Sequence, residues 1–138
     1  MILRYNRIMN LYIDIDGVLL TKQGQPSPHL KEFLIEATTK HNPFWLTTHC
    51  KGDLLHVTSH LKRILPQDLW EYIEKIKPTN WDVLKTDGIN FDQDFRWFDD
   101  APMESEKKLL QEKGVLDKLI LIDLKNNPDS LKDVLLKI

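Results

Sequence analysis

Leu11-Tyr12-Ile13-Asp14-Ile15-Asp16-Gly17 is the stretch on which the fold turns. Leu11, Tyr12 and Ile13 form an unbroken apolar run, the pattern of a short strand covered on both faces rather than one half open to water. Two carboxylates follow at its end, and Gly17 marks a turn. Buried strand, acidic end and tight turn together predict an open parallel sheet with polar groups gathered at one edge.

The same pattern repeats outward along the chain. Residues 18–27 contain Gly24, Pro26 and Ser27, which predicts a loop or small hairpin. Ser27-Pro28 suits the N-cap and first position of a helix over 28–40, with Leu30, Phe33, Leu34 and Ala37 on one face. Pro43 separates that helix from a second apolar run, 44–47. Helical spacing returns at 53–64 and 67–76. A third strand is predicted over 95–98, ending at Asp99-Asp100, then a charged helix over 103–113 stopped by Gly114. A fourth strand over 119–122 and a closing helix over 128–137 complete the series. Strands alternating with helices predict an α/β fold: a doubly wound, mostly parallel sheet with helices on both faces.

The chain has 138 residues, the size of one domain, and splitting it would leave two marginal cores. We expect a single domain over 1–138, with 1–8 as an N-terminal extension without assigned function. Apolar residues at 41% and charged residues at 29% argue against disorder. The longest apolar runs, such as Leu119-Ile120-Leu121-Ile122, are too short to span a bilayer. Arg4 and Arg7 lead into no apolar segment, so no signal peptide and no membrane association are expected. A net charge of −2 with scattered lysines and arginines disfavours strong nucleic-acid binding. The single cysteine, Cys50, excludes an internal disulfide and a CxxC metal site, and the expected compartment is the cytoplasm.

Polar residues stand at the carboxyl ends of three predicted strands: Asp14 and Asp16, then Thr47 and Thr48, then Asp99 and Asp100. In a parallel sheet these ends share one edge, and Lys85 lies close enough before the third strand to reach it. Several carboxylates in one site raise each other's pKa unless a cation offsets them. An all-oxygen donor set suits Mg2+, a hard ion that bridges carboxylates and phosphate. A carboxylate can also attack phosphorus and form an aspartyl phosphate. His56 and His60, four apart on a predicted helix, lack the glutamate and third ligand of a zinc site and read as surface or capping histidines. Trp45 and Trp97 read as core, and Arg96 as a strand-start residue or the partner of a carboxylate.

In this order the residues resemble the four motifs of the haloacid dehalogenase-like (HAD-like) superfamily. Tyr12-Ile13-Asp14-Ile15-Asp16-Gly17-Val18-Leu19 is similar to its first motif, and Phe44-Trp45-Leu46-Thr47-Thr48 to its second. Lys85 resembles the third, with Lys77 as the neighbouring alternative. Phe95-Arg96-Trp97-Phe98-Asp99-Asp100 resembles the fourth, and the likeness covers 10–124. The resemblance implies a small, capless hydrolase, with Asp14 as nucleophile and metal ligand. It implies Asp16 as general acid and base with its backbone carbonyl on the metal, Thr47 and Lys85 on the phosphoryl group, and Asp99 or Asp100 completing a Mg2+ site. Asp16 favours a phosphatase over a dehalogenase.

With only a short segment over 17–27 to cover the site, the expected substrate is a phosphorylated one of macromolecular size or one presented by a partner. A receiver-type signalling domain carries similar residues, but there the phosphorylated aspartate follows the acidic pair and precedes the threonine. A noncatalytic phosphate-binding module on the same fold is the other alternative.

Overall fold

The computed structural model describes residues 7–138. Residues 1–6 of the expected extension lie outside the described residues; Ile8, its last residue, is exposed. Four strands, β1 (Asn10–Ile13), β2 (Asn42–Trp45), β3 (Phe95–Asp99) and β4 (Leu119–Leu121), form one sheet in the order β2-β1-β3-β4. Every pairing is parallel. Tyr12 sits between Phe44 and Trp97 in register, so β1 is central and its carboxyl end is flanked on both sides.

Alternate side chains of β1 enter two cores, as the unbroken apolar run predicts. Leu11 and Ile13 pack with Phe33, Leu34, Leu131 and Val134, under α1 (Leu30–Lys40) and α5 (Ser130–Val134). Tyr12 packs on the other face with Phe95, Trp97 and Leu110, the last from α4 (Glu104–Glu112). Each fully buried side chain of this kind contributes roughly 1.5–3 kcal/mol. Trp45 and Trp97 are core residues, as expected. The fold is thus the α/β, Rossmann-like doubly wound arrangement predicted, with no large cap among the described residues.

Several boundaries differ from those expected. Ser27 does not cap α1: its hydroxyl donates to the Val18 carbonyl at 2.6 Å, and the helix begins at Leu30 after His29, which adopts a left-handed conformation (φ 64°). The serine closes the 17–27 hairpin instead, and its own N–H bonds the Leu19 carbonyl. The helix expected over 67–76 is a 3-10 turn (Gln67–Leu69) leading into the short α3 (Trp70–Ile73). The chain then returns to β2, where the Trp45 N–H donates to the Lys77 carbonyl at 2.8 Å. α2 (Leu54–Lys62) is capped by the Asp53 carboxylate, which accepts from the His56 N–H at 3.2 Å. The closing helix α5 is shorter than the 128–137 expected. Among the described residues no helix is long and apolar enough to cross a membrane.

Candidate active site

The sheet ladders fix where the acidic residues emerge. The Asp14 N–H continues the β1–β3 ladder by donating to the Phe98 carbonyl at 3.1 Å, and the Ile122 N–H donates to the Asp99 carbonyl at 3.0 Å. Asp14 and Asp99 therefore leave adjacent strands at one level. Oxygens of Asp14, Asp99 and Asp100 all lie within 4.8 Å of one another. The expected convergence at the carboxyl edge is found for these three.

Lys85, in a short turn (Lys85–Gly88), reaches into the cluster. Its Nζ is 3.1 Å from Asp14 Oδ2 and 2.7 Å from Asp99 Oδ2. Lys77 lies at the other end of the sheet, where its Nζ donates to Asn42 Oδ1 at 2.7 Å, so the strand register separates the two lysines. The Lys85 backbone is itself held: its N–H donates to Glu106 Oε2 at 2.7 Å, while Glu106 Oε1 accepts from the Met103 N–H at 2.9 Å. Glu106 is buried, and it ties the start of α4 to the turn that aims the lysine.

Burial pushes the Asp14 carboxyl up to about 6, the Asp99 charge adds to the rise, and Lys85 only partly offsets both. Burial lowers the Lys85 pKa, but the Asp14 and Asp99 charges outweigh it and raise it overall. The cluster remains short of positive charge. Asp99 has both oxygens engaged, Oδ2 with Lys85 and Oδ1 with the Ala101 N–H at 3.0 Å. Among the described residues, the ion-pair partner of Asp100 is Lys22, 2.6 Å away on the 17–27 hairpin, whose side chain is 70% exposed. Asp100 therefore has the oxygens that a cation entering from solvent can take most readily. Gly17 makes room for it. A Cβ there would sit 2.9 Å from the Asp100 Cβ and closer still to its carboxylate, and φ is +82°. Any side chain at Gly17 would both clash and be strained.

Asp16 is not in the acidic cluster. Its side chain is exposed and bonds His49, with Nε2 2.8 Å from Oδ2. Thr47 is fully buried at the end of β2, where the Leu46 N–H extends the ladder to the Ile13 carbonyl at 2.9 Å. Thr47 Oγ1 accepts from the His49 N–H at 3.3 Å. Thr48 is exposed. Cys50 is buried and closes the turn with its N–H on the Thr47 carbonyl at 3.0 Å.

Of the two histidines read as surface or capping residues, His56 is exposed with its N–H in the α2 cap, and His60 is half-buried; both face His49. His60 stacks on His49 at 4.6 Å between centroids, and His56 lies 6.2 Å from the same ring. Burial, then the neighbouring His49, lowers the His60 pKa. His49, Glu106 and Lys22 are site residues that the sequence did not mark. Only Glu106 left a signal there: a glutamate three residues into a helix start is half of a capping box.

Between the hairpin and the end of β4 lies a cleft of about 830 Å³ that opens beside Asp100 and is walled by Lys22, Leu121, Leu124 and Lys125. No family model, curated protein or solved structure matches the chain.

Proposed function

We propose that the chain is a HAD-like, Mg2+-dependent phosphomonoesterase that works through an aspartyl phosphate on Asp14. The observation that carries this reading is the three-carboxylate cluster at the carboxyl edge, in which a half-buried lysine bridges Asp14 and Asp99, with the exposed Asp16 standing outside it. A structural ion-pair cluster needs no spare acid beside it. A two-step phosphoryl transfer needs both a nucleophile and a separate proton carrier.

The donor set fits Mg2+. Asp14, Asp99 and Asp100 offer hard oxygens within 4.8 Å of one another, and the Asp14 carboxyl is raised to about 6 first by burial and then by the Asp99 charge, with Lys85 offsetting only part of the rise. Asp14 and Asp100 would hold the ion, with the Asp16 carbonyl; Asp99 would hold Lys85. An ion held there would supply positive charge to offset the carboxylates and the phosphoryl oxygens.

The chain's own residues do the rest. A carboxylate oxygen of Asp14 attacks phosphorus, the bond to the ester oxygen breaks, and Asp16 gives that oxygen its proton. Asp16, now ionised, takes a proton from water, whose oxygen attacks the acyl phosphate and releases inorganic phosphate and Asp14. Lys85 and the Thr47 hydroxyl hold the phosphoryl oxygens as negative charge shifts between them. The 17–27 hairpin is too small to seal the site, so a large or partner-presented phosphorylated substrate must supply the cover.

The test is a phosphatase screen with and without Mg2+, covering sugar phosphates, nucleotides, phosphopeptides and nucleic-acid ends. It is paired with intact-mass detection of a phosphoryl adduct on the quenched enzyme. We expect Mg2+-dependent release of phosphate and an adduct that Asp14→Asn removes. Full activity in Asp14→Asn would refute the mechanism.

A further inference from the structure

Asp16 is the one residue of the proposed machinery left on the surface, and a solvent-exposed aspartate normally samples several rotamers. Here it does not stand alone. We infer that His49, backed by His60, is the positioning residue that holds Asp16 at the angle from which it protonates the leaving group; this rests on the phosphatase reading of Asp14 and Asp16.

The support for Asp16 is built in three steps. The first is the turn after β2. The Cys50 N–H closes it on the Thr47 carbonyl at 3.0 Å, and the His49 N–H bonds Thr47 Oγ1 at 3.3 Å, so the backbone of His49 is fixed to a fully buried residue. The second is the ring. His60 lies against it at 4.6 Å and 16°, on a helix anchored by the fully buried Val57 and Leu61. The rotamer of His49 is thereby limited from one side by a rigid element. The third is the contact itself, 2.8 Å from Nε2 to Asp16 Oδ2. With Nε2–H as donor, Oδ2 is occupied and Oδ1 is left to carry the proton toward the ester oxygen.

The arrangement has a consequence that simple packing would not. A misplaced acid costs most when the leaving group is a poor one and needs its proton, and little when the leaving group departs as a stable anion. Loss of His49 should therefore act on the ratio of rates between esters and leave substrate affinity nearly alone.

The experiment uses the full chain with Mg2+ and two esters, p-nitrophenyl phosphate and glycerol phosphate. In His49→Phe, which keeps a ring for His60 but removes the donor, kcat on glycerol phosphate should fall at least about tenfold further than kcat on p-nitrophenyl phosphate, out of the hundredfold or more that a general acid commonly supplies. KM should stay near the wild-type value for both. His49→Gln, whose amide can donate to Oδ2, should recover part of the difference. Independently of turnover, the Nε2 resonance of His49 should move on Asp16→Asn.

Equal falls on the two esters, a change in KM alone, or an unmoved His49 resonance would overturn the inference while leaving the phosphatase reading intact. If His49→Phe does not fold, His49→Gln and the resonance decide. A wild type that hydrolyses no substrate of the screen, phosphopeptides and nucleic-acid ends included, and traps no phosphate on Asp14 would overturn both, and that outcome is distinct from the others.

Discussion

At the amino edge of the sheet one carboxylate, Asp94, is met by three cations, with Arg7 at 2.9 Å, Arg96 at 3.0 Å and Lys118 at 2.8 Å. At the carboxyl edge the balance is reversed. Asp14, Asp99 and Asp100 share Lys85 and one exposed lysine, Lys22. The two edges differ in pKa direction as well. Burial works against the Asp94 charge, yet hydrogen bonds from Lys118 and Arg96 hold its carboxyl below the usual range. Asp14 is pushed up to about 6 because burial and Asp99 outweigh Lys85. One edge is electrostatically finished by the chain itself. The other is left with more carboxylates than cations, and it is this imbalance on which the proposed function rests.

The largest expected effect tests whether the unfinished edge is chemical at all. Asp14→Asn should lower turnover of any substrate found by a factor on the order of 10⁴ or more, the scale seen when a covalent nucleophile is lost. Steady-state phosphate release measures it. Asp94→Asn, at the finished edge, should leave kcat within about twofold, since it is one residue of a surface ion cluster. Comparable losses in the two variants would erase the distinction between the edges.

The second prediction sharpens the division of labour between Asp99 and Asp100. Asp100→Asn should weaken Mg2+ binding by about tenfold or more, measured by titration calorimetry, because a charged oxygen that would bind the ion is replaced by a neutral one. Asp99→Asn should weaken it less and lower the fraction of folded protein more, because Asp99 is almost wholly buried and accepts from both Lys85 and the Ala101 N–H. Equal Mg2+ affinity in both variants and the wild type would sink the metal assignment.

Much of this edge was legible in the sequence, for a physical reason. Leu11 to Ile13, Phe44 to Leu46 and Phe95 to Phe98 are mostly apolar without alternation, so they had to be covered strands, and residues just past the ends of parallel strands share an edge. That places Asp14, Asp99 and Asp100 together. The choice of Lys85 over Lys77 needed the register, which puts Lys77 beside Asn42 at the far end of β2. His49 and Lys22 were not legible, because a histidine in a turn and a lysine in a hairpin acquire their roles only from the groups that the fold brings opposite. Ser27 was misread for a related reason. Its side chain and position suit a helix cap, but its hydroxyl donates instead to the Val18 carbonyl, nine residues back and brought close by the hairpin.

The third prediction uses the raised Asp14 pKa. Its folded value of about 6 lies above the ordinary 3.8, so between these the folded state binds a proton that the unfolded state does not. By linkage, stability falls as pH rises through that window, and the full penalty stands above about pH 6. A rise of this size corresponds to at most about 3 kcal/mol. In EDTA, Asp14→Asn should therefore be more stable than the wild type above pH 6, by up to that amount, with Lys85 still held by Asp99. The excess should shrink as pH falls toward 4. Urea unfolding at a series of pH values measures it, and an excess that does not vary with pH would refute the assignment.

The smallest effect belongs to the finished edge and has the opposite sign. Asp94 has a lowered folded pKa, so its contribution is present above the ordinary carboxylate range and is lost as pH falls through the folded value. Its side chain is 21% exposed and one of its partners, Arg7, is 69% exposed, so solvent screens the ion pairs heavily. Asp94→Asn should cost about 1 kcal/mol or less at neutral pH. That cost should diminish in high salt, which screens exposed charges, and fade in acid as wild-type Asp94 becomes protonated. Mg2+ affinity should not change, since the strand length separates Asp94 from the acidic cluster. Thermal unfolding of Asp94→Asn and Asp14→Asn across the same pH series makes the comparison direct: one variant should lose its effect in acid as a destabilisation, the other as a stabilisation. Two curves of the same sign would mean that the edges do not differ in the way their charges indicate.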